Sequence, residues 1–304
     1  MTPAALPYVL LLGLLFGSTL LVSRFSLGQF SPTTYTWLRL ALSSAAFASV
    51  YLIGALRGRG RRLPAGRELW RDGIVLGIFG TAVPTTAYVA SLQYQSAGMT
   101  ALLLTTAPAM TVLMAQFLLP DERLTVRKGV GILLALAGAA LVVLRGESGL
   151  AGVAGSPIGY GIVIGALVID CFMAVYTRKH CREYDTIDLS GVRMLVATLV
   201  VAPLSLALVG FDVSAVTATG ITALIYAAAA GTFGGLILFL WVNQRFGATA
   251  ASLTSYVLPV VAATGGVLFL GEAITPVMLA GMALIIGGIA TLNRREPVVL
   301  EIET

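Results

Sequence analysis

The sequence predicts an all-α integral membrane protein with ten transmembrane helices, and three observations support this prediction. The chain of 304 residues is 58% hydrophobic and only 11% charged, with a mean hydropathy of +0.93, whereas a soluble domain is about 25% charged. Apolar runs of about 20 residues recur, which is the length that crosses a hydrocarbon core of about 30 Å as a helix. Stretches such as GIVIGALVI and LAGMALIIGGIA lack the alternation of a transmembrane β-strand.

Charged or turn-rich breaks divide the chain into ten apolar segments. The predicted spans are 6–26, 34–56, 72–92, 97–118, 127–145, 158–177, 188–210, 219–241, 248–270 and 274–292. We expect a first repeat over 1–145, a linker over 146–157, a second repeat over 158–292 and a tail over 293–304.

The basic residues predict how these spans are oriented. The loop RGRGRRLPAGRELWR, residues 57–71, carries six arginines against one acid. Because cytoplasmic loops are enriched in Lys and Arg, this loop is predicted to be cytoplasmic, and with ten spans both termini lie there too. Only four of the 19 Lys and Arg residues then fall outside the cytoplasmic segments. We therefore expect a multi-pass protein of the inner (plasma) membrane.

The second half of the chain repeats the first at offsets of 150 to 154 residues. Matched pairs include Glu122 with Glu272, Thr125 with Thr275, Gly80 with Gly231, Thr81 with Thr232, Arg24 with Arg178, and Arg39 with Arg193. Each copy holds five predicted spans, an odd number, so the copies should cross the membrane in opposite directions. Such inverted repeats place a substrate site near the midplane between the halves.

The two matched acids lie in short turns between the last two spans of each repeat. Glu122 and Glu272 are each followed, three residues later, by Thr125 and Thr275. An acid near a helix N-terminus interacts favourably with the dipole of that helix. The threonine side chain can accept hydrogen bonds from the first backbone amides of the helix. We predict that both acids stabilise the helix that follows them.

Two long stretches resemble a known family. They are APAMTVLMAQFLLPDERLTVRKGVGILLALAGAALV and LPVVAATGGVLFLGEAITPVMLAGMALIIGGIATL. Each combines a mid-helix proline, a turn glutamate and a glycine-rich last helix, and together they resemble the tandem EamA domains of the drug/metabolite transporter superfamily. The resemblance covers essentially the whole chain. It implies ten helices in inverted five-helix repeats and export of small metabolites, and the YddG-type amino-acid exporters are the most similar in length and loop pattern.

Polar groups on four spans are the candidate substrate-binding residues. Hydroxyls and kink prolines within a bilayer usually face a cavity or a partner, and the resemblance places the third, fourth, eighth and ninth spans around the central cavity. The candidates are Thr81, Pro84, Thr85, Tyr88, Thr105, Pro108, Thr232, Phe239, Ser255, Tyr256 and Pro259. Tyr88 and Tyr256 are expected to contact an apolar or aromatic substrate side chain. The alternative is that these residues only pack helices and absorb kinks.

Asp170 is the most informative charge within a predicted span. It can serve as a proton carrier or as the partner of a substrate ammonium group, because a buried carboxylate is expensive and usually functional. The alternative is a buried structural pair with Arg193. Arg39, the repeat mate of Arg193, is expected near a helix end or the lipid headgroups.

These features predict a secondary transporter that exports small metabolites, most consistently amino acids including aromatic and apolar ones, by alternating access. The alternative substrates are lipophilic drugs or nucleobase-like metabolites, and the alternative classes are a channel or an intramembrane enzyme. The sequence contains no HExxH or P-loop motif and no convergent catalytic residues, so we expect no enzymatic activity, no cofactor, no metal and no nucleic-acid partner. The expected partners are a small-molecule substrate and the lipid bilayer, and the chain is expected to be a monomer or homodimer.

Overall fold

The computed structural model of this protein describes residues 3–57, 64–118, 125–211, 213–246 and 253–293, which form ten helical segments. They are α1 (Leu6–Ser26), α2 (Pro32–Leu56), α3 (Arg67–Ser91), α4 (Ala97–Leu118), α5 (Val126–Leu144), α6 (Pro157–His180), α7 (Thr186–Leu208), α8 (218–246), α9 (Thr254–Leu270) and α10 (Pro276–Asn293). Among the described residues, nine segments are long and apolar enough to cross a membrane, and α9 is shorter at 17 residues.

The all-α prediction is confirmed, and the predicted segments correspond one to one with these helices. The largest differences within the described residues are the start of α3, at Arg67 and not at residue 72, and the end of α8, at residue 246 and not at residue 241. Hydropathy alone placed that start too late, because the first turn, with Glu68 in it, is polar although it is helical. The predicted start of the ninth span at residue 248, the turn containing Glu122 and most of the tail lie outside the described residues.

Successive helices run in alternating directions, so the bundle has two ends. At the end where α2 and α6 finish, the Tyr51 hydroxyl donates to Asp188 Oδ1 at 2.8 Å. We call this the basic end, because α3 starts there at Arg67 and α6 finishes there with Arg178, Lys179 and His180. At the opposite end, the Glu272 end, Glu272 lies beside Arg24 of α1.

The two halves pack in an equivalent way. α1 packs against α9 and α6 against α4, while α3 packs against α7 and α8 against α2. α2 meets α7, and α5 meets α10, which are the corresponding helices of the two halves. Each of the first four contacts therefore has a counterpart in the other half, and each of the last two joins a helix to its own counterpart.

Glycines bring α5 and α10 into close contact. A Cβ atom on Gly138 would lie 2.6 Å from the Gly281 carbonyl oxygen, and one on Gly131 would lie 2.8 Å from that of Gly288. Within a bilayer such small residues allow the close backbone packing that drives helix association. Gly131 is the repeat mate of Gly281, and Gly138 is that of Gly288, so this contact also follows the repeat.

The third helix of each half contains a π-helical segment at the same repeat position. Ile78–Ala82 forms it in α3, and Ala227–Gly234 forms it in α8. The matched pairs Gly80-Thr81 and Gly231-Thr232 lie within these segments. Such insertions are frequent at functional sites, because the wider turn redirects side chains and changes which carbonyl groups are paired.

The turn residues fulfil the prediction only in part. Thr125 Oγ1 accepts from the Lys128 amide at 3.3 Å, and Thr275 Oγ1 accepts from the Met278 amide at 3.1 Å, which confirms both as helix caps. The prediction for Glu272 is wrong. Its carboxylate accepts from the Ala97 amide at 2.9 Å, at the start of α4 in the other half, because Thr275 already caps the helix that follows.

Adding a methyl group to Gly138 should destabilise the bundle. The Cβ atom of a Gly138→Ala variant would force α5 and α10 apart, and overpacking of this kind costs about 1–3 kcal/mol. The midpoint of thermal unfolding in detergent should therefore fall. Gly287→Ala is the matched control on α10, because a Cβ there meets nothing within 4 Å. Equal midpoints for the two variants would contradict the close packing.

Candidate functional site

A cavity of about 500 Å³ lies between α3, α6, α7 and α8. At the basic end it is lined by Thr177, Arg178, Cys181 and Arg182. Deeper in the bundle, Asp170 and Arg193 contribute to its lining. Asp170 is ten residues before the end of α6 at His180, or about 15 Å along the helix, so the cavity reaches from the basic end towards the middle of the bundle.

Arg193 is held at the inner part of the cavity by α3. Its Nε donates to Thr81 Oγ1 at 2.9 Å, and its Nη2 donates to the Gly80 carbonyl oxygen at 2.9 Å. Gly80 lies one turn before Pro84, which has no amide N–H to donate back along the helix. The guanidinium therefore satisfies a carbonyl that Pro84 leaves without an α-helical partner.

Asp170 faces the same cavity from α6. It is half-buried, and the Tyr88 hydroxyl donates to its Oδ2 at 3.3 Å. The hydrogen bonds of Arg193 go to Thr81 and Gly80, and no ion pair joins Arg193 to Asp170 among the described contacts. The two opposite charges therefore line one space while each is oriented by a different neighbour.

The rest of the deep lining is apolar. Leu76, Met173, Leu236, Phe239 and Leu240 contribute side chains from α3, α6 and α8. A site with one anion, one cation and an apolar wall can accept a small molecule that carries both charges and an apolar group. Arginine suits a carboxylate because its N–H groups form a planar fork, of which only two donors are used here.

Part of the predicted residue set comes together at this cavity. Asp170, Arg193 and Phe239 line it, Thr81 holds Arg193, Tyr88 contacts Asp170, and Pro84 frees the carbonyl that Arg193 uses. Thr85 is half-buried on α3 and is not part of the lining.

The predicted residues of α4 and α9 lie elsewhere. The Thr105 hydroxyl donates to the Ala101 carbonyl oxygen within α4, just before the break ahead of Pro108. Tyr256 packs against the cluster around Met99 and Leu102. Ser255 is half-buried and Pro259 is buried within α9, and neither lines the cavity.

Arg39 occupies an unexpected position. Its Nε donates to Thr232 Oγ1 at 2.8 Å, and its Nη1 donates to Ser23 Oγ at 3.4 Å. The expectation of a headgroup position is wrong, because Thr232 of the other half supplies an acceptor inside the bundle. This contact is the repeat counterpart of Arg193 with Thr81. The sequence shows that the two arginines are repeat mates and that the two threonines are repeat mates. It does not show that each arginine contacts the threonine of the other half.

The residues at the mouth of the cavity are not among the predicted site residues. Thr177, Arg178, Cys181 and Arg182 line it, although the predicted sixth span ends at residue 177. α6 continues to His180, and this extra helical turn forms the wall of the mouth. A charged last turn is an ordinary way to end a helix, so only the packing shows that it faces a cavity.

Comparison with known proteins agrees with this architecture. A profile of the EamA-like transporter family matches residues 4–144 and 157–294. A probable terminal-alkyne amino-acid exporter of Streptantibioticus cattleyicolor is 29% identical over 261 residues, which is 84% of either chain. An uncharacterized transporter of Archaeoglobus fulgidus is 26% identical over 90% of this chain and 92% of its own. An uncharacterized protein of Pseudomonas aeruginosa is 31% identical over 92% of this chain and 91% of its own.

One solved crystal structure, 23% identical in sequence, covers 93% of this chain and 94% of its own with a TM-score of 0.66. That likeness supports the fold alone. The family match spans both halves of the chain on either side of the linker, in agreement with the equivalent packing of the two halves. The chain is thus a multi-pass membrane transporter that belongs to the EamA-like transporter family and contains two EamA units in tandem.

Proposed function

We propose that this transporter exports zwitterionic amino acids by alternating access, with the cavity between α3, α6, α7 and α8 as the loading site. The observation that carries the proposal is the presence of Asp170 and Arg193 in one cavity within the membrane bundle. Asp170 accepts hydrogen bonds from the substrate ammonium group, and the unused N–H groups of Arg193 donate to the substrate carboxylate. Charge-assisted hydrogen bonds of this kind are stronger than neutral ones.

The apolar wall then receives the substrate side chain. Leu76, Met173 and Phe239 suit an unbranched or aromatic apolar group, since burial of apolar surface contributes about 25 cal/mol per Å². The Streptantibioticus relative is described as a probable exporter of terminal-alkyne amino acids, which also combine a zwitterion with an apolar side chain. This likeness supports an amino-acid substrate for the present chain.

A neutral lipophilic drug or a nucleobase-like metabolite is the less favoured substrate. Such a molecule would cover Asp170 and Arg193 without satisfying their charges, and uncompensated charge burial is costly. A zwitterion avoids this cost, because each end of the molecule meets a group of opposite charge.

We further propose that the protein lies in the inner (plasma) membrane and that its basic end faces the cytoplasm. The excess of arginine at this end follows the usual bias of cytoplasmic loops. Five helices in each half would then make the two EamA units inverted with respect to each other. In this orientation the cavity opens towards the cytoplasm, which is the loading state of an exporter.

Amino-acid counterflow should depend on both charged residues of the cavity. In proteoliposomes preloaded with unlabelled amino acids, uptake of labelled methionine should be driven by apolar and aromatic amino acids. Asp170→Asn and Arg193→Lys should each lower the apparent affinity about tenfold or more, because a hydrogen bond to a charged group contributes about 1.5–3 kcal/mol.

Asp188→Asn is the matched control for this experiment. Asp188 also accepts a hydrogen bond from a tyrosine, Tyr51, but it does not line the cavity. Its substitution should leave counterflow near the wild-type rate. If no amino acid drives exchange in folded protein, the substrate class is wrong. If Asp188→Asn impairs exchange as much as Asp170→Asn does, the assignment of the site is wrong.

Cys181 provides a test of the orientation. It lines the mouth of the cavity, and burial, together with the nearby Asp72 carboxylate, raises the pKa of its thiol to about 11. In a Cys171→Ala background, an impermeant thiol reagent should modify Cys181 only from the cytoplasmic face. Its rate should still rise about tenfold per pH unit between pH 7 and 9, because the reactive thiolate fraction grows up to the pKa.

An unburied thiol has a pKa of about 8.5, so its rate would begin to level off within the same range. Levelling of the rate near pH 9 would show that Cys181 is not buried at the cavity mouth. Modification from the outer face alone would reverse the proposed orientation.

A further inference from the structure

The loading cavity has a counterpart at the Glu272 end, and this counterpart is closed. In the alignment of the two repeats, Arg193 corresponds to Arg39, Met173 to Thr19 and Thr177 to Ser23. Thr19 packs directly on Gly231, and Thr19 and Ser23 are only 4% and 1% exposed. The side chains that correspond to the walls of the open cavity are therefore pressed together.

This closed region is polar, as expected of a binding site for a charged substrate. Arg39 donates to Thr232 and Ser23, and the Ser23 and Tyr35 hydroxyls lie 3.2 Å apart. Only two of the five N–H donors of the Arg39 guanidinium are used in these contacts. Helix packing alone does not call for an arginine at this depth, because placing one there is expensive within a membrane.

Glu272 ties together the elements around the closed region. Its Oε1 accepts from the Ala97 amide at 2.9 Å, its Oε2 accepts from the Gly98 amide at 3.4 Å, and Arg24 Nε lies 3.8 Å from Oε1. Arg24 Nη1 also donates to the Leu92 carbonyl oxygen at 2.7 Å. The turn after α9 in one half is thereby bound to α1 and to the ends of α3 and α4 in the other.

The linker between the halves reinforces the same end. Its Ser148 carbonyl oxygen accepts from the Ser96 amide, and its Gly149 carbonyl oxygen accepts from the Ala273 amide, both at 2.8 Å. These backbone bonds fix Ala273, which follows Glu272, and Ser96, which precedes the first residue of α4. The carboxylate is thus held where it can bridge the two halves.

We propose that Arg39 is the centre of a second substrate station, which binds the carboxylate of the departing amino acid, and that the contact of Glu272 with Arg24 and the start of α4 holds this station closed. Opening requires these bonds to break, and Arg24 is then free at the mouth as the repeat mate of Arg178. This inference rests on the proposed function for its ligand class, but the closing contact does not depend on the substrate.

The two stations differ in one group that bears on release. Asp170 of the loading cavity corresponds to Phe16, whose ring packs against Gly235. The Arg39 station thus retains a cation for the substrate carboxylate and lacks the anion for the ammonium group. A zwitterion held at both charges in the loading cavity is held at only one charge in the Arg39 station.

A reporter thiol at Ser23 tests the closing contact. In a Cys171→Ala, Cys181→Ala background, Ser23→Cys should react slowly with an impermeant thiol reagent added at the Glu272 face. Glu272→Gln should raise that rate at least tenfold, because a neutral amide cannot pair with Arg24 and binds the two backbone amides more weakly. Glu147→Gln, a carboxylate of the linker at the same end, is the matched control and should not change the rate.

Hexanoate, which has a carboxylate and no ammonium group, tests the ligand. In the Glu272→Gln protein it should protect Ser23→Cys from modification, and protection should be lost with Arg39→Gln and retained in weaker form with Arg39→Lys. An unchanged rate in Glu272→Gln overturns the closing contact, and absence of protection by hexanoate overturns the station. A failure of amino-acid counterflow alone would count against the proposed function and would leave the rate comparison valid.

Discussion

Two crossed hydrogen bonds, from Arg193 to Thr81 and from Arg39 to Thr232, join the halves of this transporter near the centre of the bundle. Burying a guanidinium without hydrogen-bond partners at this depth in a membrane costs several kcal/mol of free energy. Each half therefore depends on an acceptor that the other half provides. The π-helical segments of α3 and α8 carry both threonines. One contact holds Arg193 at the cavity, and the other holds Arg39 in the closed region at the Glu272 end.

The same arrangement makes the two halves equivalent in packing and unequal in charge. Close glycine contacts between α5 and α10 form a scaffold that is symmetric under exchange of the halves. At the cavity, however, Asp170 has no acidic counterpart, because Phe16 occupies the matching position. Under the proposed function, a symmetric scaffold would allow two similar end states of comparable free energy, and the asymmetric charge would let one of them bind a zwitterion more firmly. This difference in charge between equivalent positions is the structural basis of the proposed loading and release.

Most of the fold could be predicted from the sequence, because the bilayer imposes helix length and hydropathy directly. The caps at Thr125 and Thr275 were also predictable, since they depend on residues three positions away. The role of Glu272 was not, because its partners Ala97 and Gly98 are distant in sequence. For the site, Asp170 and Arg193 were found as charges within spans, whereas Tyr256 was a polar residue that helix packing explains equally well.

The central claim is that the cavity recognises an amino acid through both of its charges, and ligand binding to purified protein tests this most directly. Norleucine, its amide and its N-acetyl derivative share one apolar side chain, while the amide lacks the carboxylate and the N-acetyl derivative lacks the ammonium group. Titration calorimetry should show binding of norleucine and affinities at least about tenfold weaker for both derivatives, since one charged hydrogen bond contributes about 1.5–3 kcal/mol. Equal affinity for all three compounds would contradict recognition by Asp170 and Arg193.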